Sequence, residues 1–285
     1  MNFSEAVEKI MAMIESEKFP DQLKIECIRR APDDDSPPCW SYSLLNRLIV
    51  AFSGSQDVRG MKTWNKLGAK IRPGSHAVKI LAPLVKIRTV TDPDTGEVEK
   101  RRIIHGFKWV NVYRYEDLET PPDLKIHDYS PKEIVPFEDV CRKMGLDVRY
   151  RPLNGCYGYY SYSPDRHEIV LGVNEGPGAV VTITHELSHH AQHLLNMEGS
   201  RSNDVLEASA ELSAQVLCQI YGFSGTEMQS AEYIKAFLHV RRDGEPKEVL
   251  KKIGEILADT EAIVRKIISV KETEEPVPAE IPELA

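Results

Sequence analysis

The chain has 285 residues, 41% of them apolar and 28% charged, a composition too hydrophobic for a disordered chain and long enough for two modest cores. No stretch approaches the roughly 20 consecutive apolar residues of a membrane span. The acid-bearing N-terminus lacks the form of a secretory signal, and five scattered cysteines with no C-x-x-C pair argue against a disulfide framework and point to the reducing cytoplasm.

Residues 1–14 read as an amphipathic helix. The formal charge of −8 is unevenly spread: residues 40–115 hold fourteen Lys and Arg against five Asp and Glu, a balance of +9 that leaves −17 for the remainder. All three tryptophans, Trp40, Trp64 and Trp109, fall in that basic segment, with Tyr42, Phe107, Tyr113 and Tyr115 beside them. Cations beside flat rings are what a sequence-tolerant single-strand site needs, because the charges follow phosphates while the bases stack on aromatic faces that a duplex would leave unused. The bland alternative makes the tryptophans the core of a small α+β domain and the lysines its solvated skin. Asp92-Pro93-Asp94-Thr95-Gly96 predicts a hairpin tip, and Lys100, Arg101 and Arg102 just beyond it make the arm basic. Residues 118–125 carry two prolines and lose apolar periodicity, which predicts a linker and a division into domains at 1–122 and 123–270, with an acidic, proline-bearing tail at 271–285.

In the second half, residues 156–162 predict a Tyr-rich edge strand fit to pair with an extended peptide, and residues 167–173 an apolar strand. A Pro177-Gly178 turn then leads into a helix that carries His185-Glu186-Leu187-Ser188-His189, the H-E-x-x-H pattern. Residues four apart share one helical face, so His185 and His189 grip one metal ion, while Glu186 is placed as the general base. His193 extends the stripe but reads as solvated or structural, and His190 points off the metal face. A catalytic zinc site takes three protein ligands. The best third candidate is Glu207, on a helix that Ser202, Asn203 or Asp204 caps and Gly222 ends. Glu211, one turn further on, is then the outer carboxylate that accepts the spare N–H of a ligand histidine, and the reverse assignment of the two glutamates fits the same spacing.

His185-Glu186-x-x-His189 followed by Glu207-x-x-Ala210-Glu211 resembles the gluzincin-like peptidases of the ImmA/IrrE type and the C-terminal domain of ArdC antirestriction proteins. Residues 40–47, 63–68 and 72–83 resemble ordered signatures of the ArdC N-terminal single-stranded-DNA-binding domain, although Val110-Asn111-Val112-Tyr113 stands where that family commonly has a Phe-Asp-like segment. The resemblance covers nearly the whole chain. It implies an α+β protein, with a small mixed N-terminal domain that binds single-stranded DNA followed by a gluzincin-like metallopeptidase domain. It also implies Zn2+ on His185, His189 and Glu207, an oxyanion role for Tyr233, and nucleic-acid contacts among Trp40, Tyr42, Asn46, Arg47, Trp64, Lys66, Arg72, Lys79, Arg101 and Arg102. Three functions fit: a DNA-tethered zinc peptidase that protects incoming DNA, a DNA-binding antirestriction protein with a structural metal site, and a regulatory peptidase that cleaves a repressor. The peptide substrate stays open in each.

Overall fold

The computed structural model describes residues 3–29, 37–91, 98–123, 137–153, 156–163, 166–172, 177–223 and 245–270, with residues 3, 88–91, 98–102 and 177–179 described by backbone alone. The chain divides into two compact units, one formed by residues 1–129 with 241–258 and the other by residues 130–240 with 259–285. The predicted hairpin tip, Tyr233 and the tail 271–285 lie outside the described residues.

The first unit opens with α1 (Phe3–Ile14) and α2 (Phe19–Ile28). In α1, Ala6, Ile10 and Met13 recur at helical spacing and are buried, so this face supplies core while the glutamates stay outside. After a 3-10 turn at Pro38–Ser41 come α3 (Leu44–Phe52), β1 (Val58–Arg59) and α4 (Met61–Lys66). β2 (Val78–Thr91) and β3 (Val98–Arg114) then form a long antiparallel ribbon, giving the strand order β1-β3-β2. Its pairing shifts at Leu84/Val85; Ile87 and Ile104 beyond that bulge are exposed, as is Phe107 just before it. Trp40, Val50, Val58, Ile80 and Val112 form one core cluster, and Trp64, Ala69 and Leu118 another. Asn46 completes the edge of β2 as a neighbouring strand would: its amide nitrogen donates to the Leu81 carbonyl at 2.7 Å and its oxygen accepts the Leu81 N–H at 2.9 Å.

The second unit holds α5 (Phe137–Lys143) and a three-stranded sheet of β4 (Asp147–Arg151), β5 (Gly158–Ser163) and β6 (Arg166–Gly172), in the order β4-β6-β5. β4 runs parallel to the central β6 and β5 antiparallel to it. Ile169, Val170 and Leu171 of β6 are buried, as a strand flanked on both sides requires, whereas β5 lies at the sheet edge, as its tyrosine-rich sequence predicts. Helices α6 (Pro177–Leu194) and α7 (Asn203–Ile220) pack along each other, and α8 (Pro246–Ile268) runs from the first unit's segment into the second's. Pro177 is the first residue of α6 and not part of a preceding turn, since its fixed φ suits a first helical turn that has no intrahelical N–H partners. Small buried side chains on α7, among them Ala208, Ser209, Ala210 and Ser213, suit a close approach to α6. Gly222 follows α7 at φ 76°, the left-handed position expected of a glycine that ends a helix. Arg201 reaches the buried Asp259 of α8 with two bonds, at 2.7 and 3.0 Å. Elements are segregated rather than alternating, which is an α+β arrangement.

Candidate metal centre

Helix α6 sets His185 and His189 one turn apart, and their Nε2 atoms lie 3.1 Å from each other. Helix α7 brings Glu207 to the same point, with Oε2 3.6 Å from His185 Nε2 and Oε1 3.7 Å from His189 Nε2. Ligand atoms about 2.0–2.1 Å from a tetrahedral zinc would stand about 3.3 Å apart, so these three donors already have the spacing of a metal's first contacts. Among the described residues this is the one trio of His, Cys, Asp or Glu with ligand atoms clustered within 4.8 Å. Glu207 is about half exposed, so the point of convergence faces solvent on one side.

The surrounding groups orient the three. Glu211 Oε2 lies 3.2 Å from His185 Nδ1, the side of the ring turned away from the convergence. This favours Glu207 as ligand and Glu211 as outer carboxylate over the reverse. His189 Nδ1 is 2.9 Å from the side-chain oxygen of Gln192, a contact that motif spacing alone did not reveal. The Glu186 carboxylate turns toward the sheet, where its Oε2 accepts the Tyr160 N–H at 2.7 Å. Burial raises the Glu186 pKa, opposed by the neighbouring His185 and His189. Burial also disfavours the charged form of His185, but the Glu207 and Glu211 carboxylates outweigh it and lift that pKa to about 10. Contacts to His185 and then His189 hold Glu207 well below the usual carboxylate range.

The remaining histidines of α6 do other work. His190 is buried, with its Nε2 3.1 Å from the Met144 carbonyl and its Nδ1 3.1 Å from the Tyr160 hydroxyl, while that hydroxyl is also 2.9 Å from His167 Nδ1. Burial, first of several causes, lowers its pKa to about 4 and keeps it neutral. His193 meets Glu198 at 3.4 Å and packs its ring 4.3 Å from that of Tyr162. It stands outside the metal trio because eight residues along a helix turn it about 80° from His185.

The first unit corrects part of the expected nucleic-acid surface. Trp40 and Trp64 are 2% and 0% exposed and spend their indole N–H groups on the Gln56 and Tyr113 carbonyls. Neither offers a face to a base. Asn46 is committed to Leu81, and Arg47 is buried with its guanidinium on the Trp40 carbonyl and near Glu26. These four lie in the interior, where the rings bury apolar surface and the indole, amide and guanidinium N–H groups find backbone carbonyls. Tyr42 is half-buried against the core, whereas Lys66, Arg72 and Lys79 are exposed, with Arg72 also donating to the Glu116 carbonyl. Arg101 and Arg102 pair with Arg88 and Ile87 across the ribbon, and their side chains lie outside the described set. Cys39 is a buried thiol whose pKa burial pushes up to about 12, so it is no reactive nucleophile.

No protein-family profile and no curated protein matches this chain. Among solved structures it is similar to the metal-free crystal structure of the antirestriction protein ArdC from plasmid R388, with a TM-score of 0.51 and 18% identity over 88% of this chain and 97% of that one. The Mn(II)-bound structure of the same protein gives a TM-score of 0.49 and 18% identity over 79% and 83% of the two chains. No helix among the described residues is long and apolar enough to cross a membrane. The chain has a mixed α+β fold of the kind seen in metal-free ArdC.

Proposed function

We propose that this chain is a zinc-dependent peptidase joined to a domain that binds single-stranded DNA, acting in antirestriction. The observation that carries the reading is the convergence of His185, His189 and Glu207, with Glu186 next to His185 on the same helix, outside the trio and accepting the Tyr160 N–H. The donor set of two imidazoles and one carboxylate fits zinc, whose role when bound is to act as a Lewis acid toward a peptide carbonyl. Glu186 is the general base: the Tyr160 amide holds Oε2, and Oε1 takes the proton of the attacking water as oxygen bonds to the carbonyl carbon. The same carboxyl then returns the proton to the leaving amine as the C–N bond breaks. Tyr233 is retained as a candidate donor to the oxyanion.

Single-strand binding rests on the +9 balance of residues 40–115 and on the exposure of Lys66, Arg72 and Lys79. With Trp40 and Trp64 buried, phosphate contact outweighs base stacking, and Phe107 is an exposed aromatic ring in the same basic segment. The fold shared with ArdC of R388, together with the signatures that resemble its N-terminal domain, supports antirestriction, and the five free cysteines support a cytoplasmic setting. The test combines two measurements on the full chain. One zinc per chain, lost in His185→Ala, and binding of an oligo-dT strand that weakens steeply with salt are expected; a chain that takes up no zinc refutes the enzymatic part, and salt-independent or absent binding refutes the other.

A further inference from the structure

We infer that Gln192 is a positioning residue of the metal centre: it fixes His189 in the tautomer that presents Nε2 to the ion and ties that choice to the helix carrying Glu207. The inference rests on the reading of His185, His189 and Glu207 as a metal site. Its evidence is a chain of hydrogen bonds whose direction is forced from one end.

Gln192 is 1% exposed, and its Nε2 lies 2.7 Å from the Leu206 carbonyl and 2.9 Å from Ser209 Oγ. A carbonyl only accepts, so the atom facing Leu206 is the amide nitrogen; turning the amide over would set two oxygens against each other at that distance. Ser209 spends its own hydrogen on the same Leu206 carbonyl at 3.0 Å, which leaves its oxygen free to accept the second amide hydrogen. Both Gln192 donors are thereby used on α7, and its oxygen faces His189 Nδ1 at 2.9 Å, where only an N–H makes a bond. The neutral His189 ring therefore carries its proton on Nδ1. In that state Nε2 keeps the lone pair, and this is the atom that points at His185 and Glu207.

Leu206 immediately precedes Glu207, so the contact that selects the His189 tautomer also sets the height of α7 against α6. The two Nδ1 atoms face different partners: that of His185 lies 3.2 Å from a carboxylate oxygen, and that of His189 bonds an amide that carries no charge. Outer partners of this kind typically contribute about 10–100-fold to metal affinity.

The test uses the full chain, zinc competition against a chromophoric chelator, and 15N spectra of the histidine rings of the metal-free protein in its neutral-imidazole range. Gln192→Met, of similar length but without donor or acceptor, is expected to fold, to bind zinc about 10–100-fold more weakly and to show His189 as a mixture of tautomers. Gln192→Glu keeps an acceptor for Nδ1 while losing the donors to α7; it is expected to be the less stable variant and yet to bind zinc within a few-fold of the parent. That inversion of stability and affinity is something a packing defect does not produce. Parent-like affinity in Gln192→Met, or an equal loss in both variants, overturns the inference. If the parent itself binds no zinc, the metal-site reading fails; the His189 tautomer then decides the Gln192 contact alone, with an Nε2–H ring in the parent refuting it.

Discussion

Loading the metal should release protons, and the amount follows from the neighbours of His185. In the metal-free chain burial works against its charge, but Glu207 at 3.6 Å and Glu211 at 3.2 Å prevail and raise its pKa from 6.5 to about 10. At pH 7 the ring is an imidazolium, and an ion that uses Nε2 must displace that proton. With one proton exchanged, apparent zinc affinity should climb about tenfold per pH unit from pH 7 and level off near pH 10, about 4 kcal/mol across the interval. Calorimetric titration in buffers of different ionisation enthalpy at pH 7 to 8 should count about one proton released per zinc. The metal-free fold shows the converse. A raised folded-state pKa means that the His185 ion pairs stabilise fully below about 6.5 and that this contribution is lost as pH rises through about 10, so melting temperature should fall across that window unless zinc is present. Zinc binding that releases no protons and keeps a constant affinity between pH 7 and 9 would refute the argument.

Three further outcomes are expected. Glu186→Gln should keep one zinc per chain and cut hydrolysis of an unfolded polypeptide by about 10²–10⁴-fold; undiminished turnover removes Glu186 as base. Asn46→Ala leaves the Leu81 N–H and carbonyl without partners and should cost about 1–3 kcal/mol in urea unfolding, where no measurable change would show the edge to be solvated. A Cβ at Gly158 would stand 2.6 Å from Thr182 Cγ2 and 3.0 Å from the Val170 carbonyl, so Gly158→Ala should destabilise by about 1–3 kcal/mol, and adding Thr182→Ser should restore part of it. A neutral Gly158→Ala would mean that β5 and α6 yield more easily than their packing implies.

The convergence of His185 and His189 was legible because the requirement that joins them is local: helical period alone puts two imidazoles on one face. Glu207 followed from the need for a third donor on a later helix. Gln192 left no such trace, since a glutamine three residues past a histidine looks like any solvated helix residue until the opposing carbonyl of Leu206 is in place. For Trp40 and Trp64 the alternative that makes them core holds, for the same reason in reverse. Composition gathers Trp40 and Trp64 with cations but carries no information on whether a ring faces in or out, and backbone carbonyls of Gln56 and Tyr113, distant in sequence, decide it. Nor does local pattern reveal that residues 241–258 return to the first unit, because that depends on contacts made across the length of the chain.

The bond from the Tyr160 amide to Glu186 also bears on how a polypeptide could lie along the open side of β5. Strand addition there proceeds rung by rung, each outward N–H awaiting an incoming carbonyl. At Tyr160 the rung is already taken by the protein's own carboxylate. A guest chain must therefore bridge that position without a bond, so the border of the sheet imposes a register that Glu186 marks.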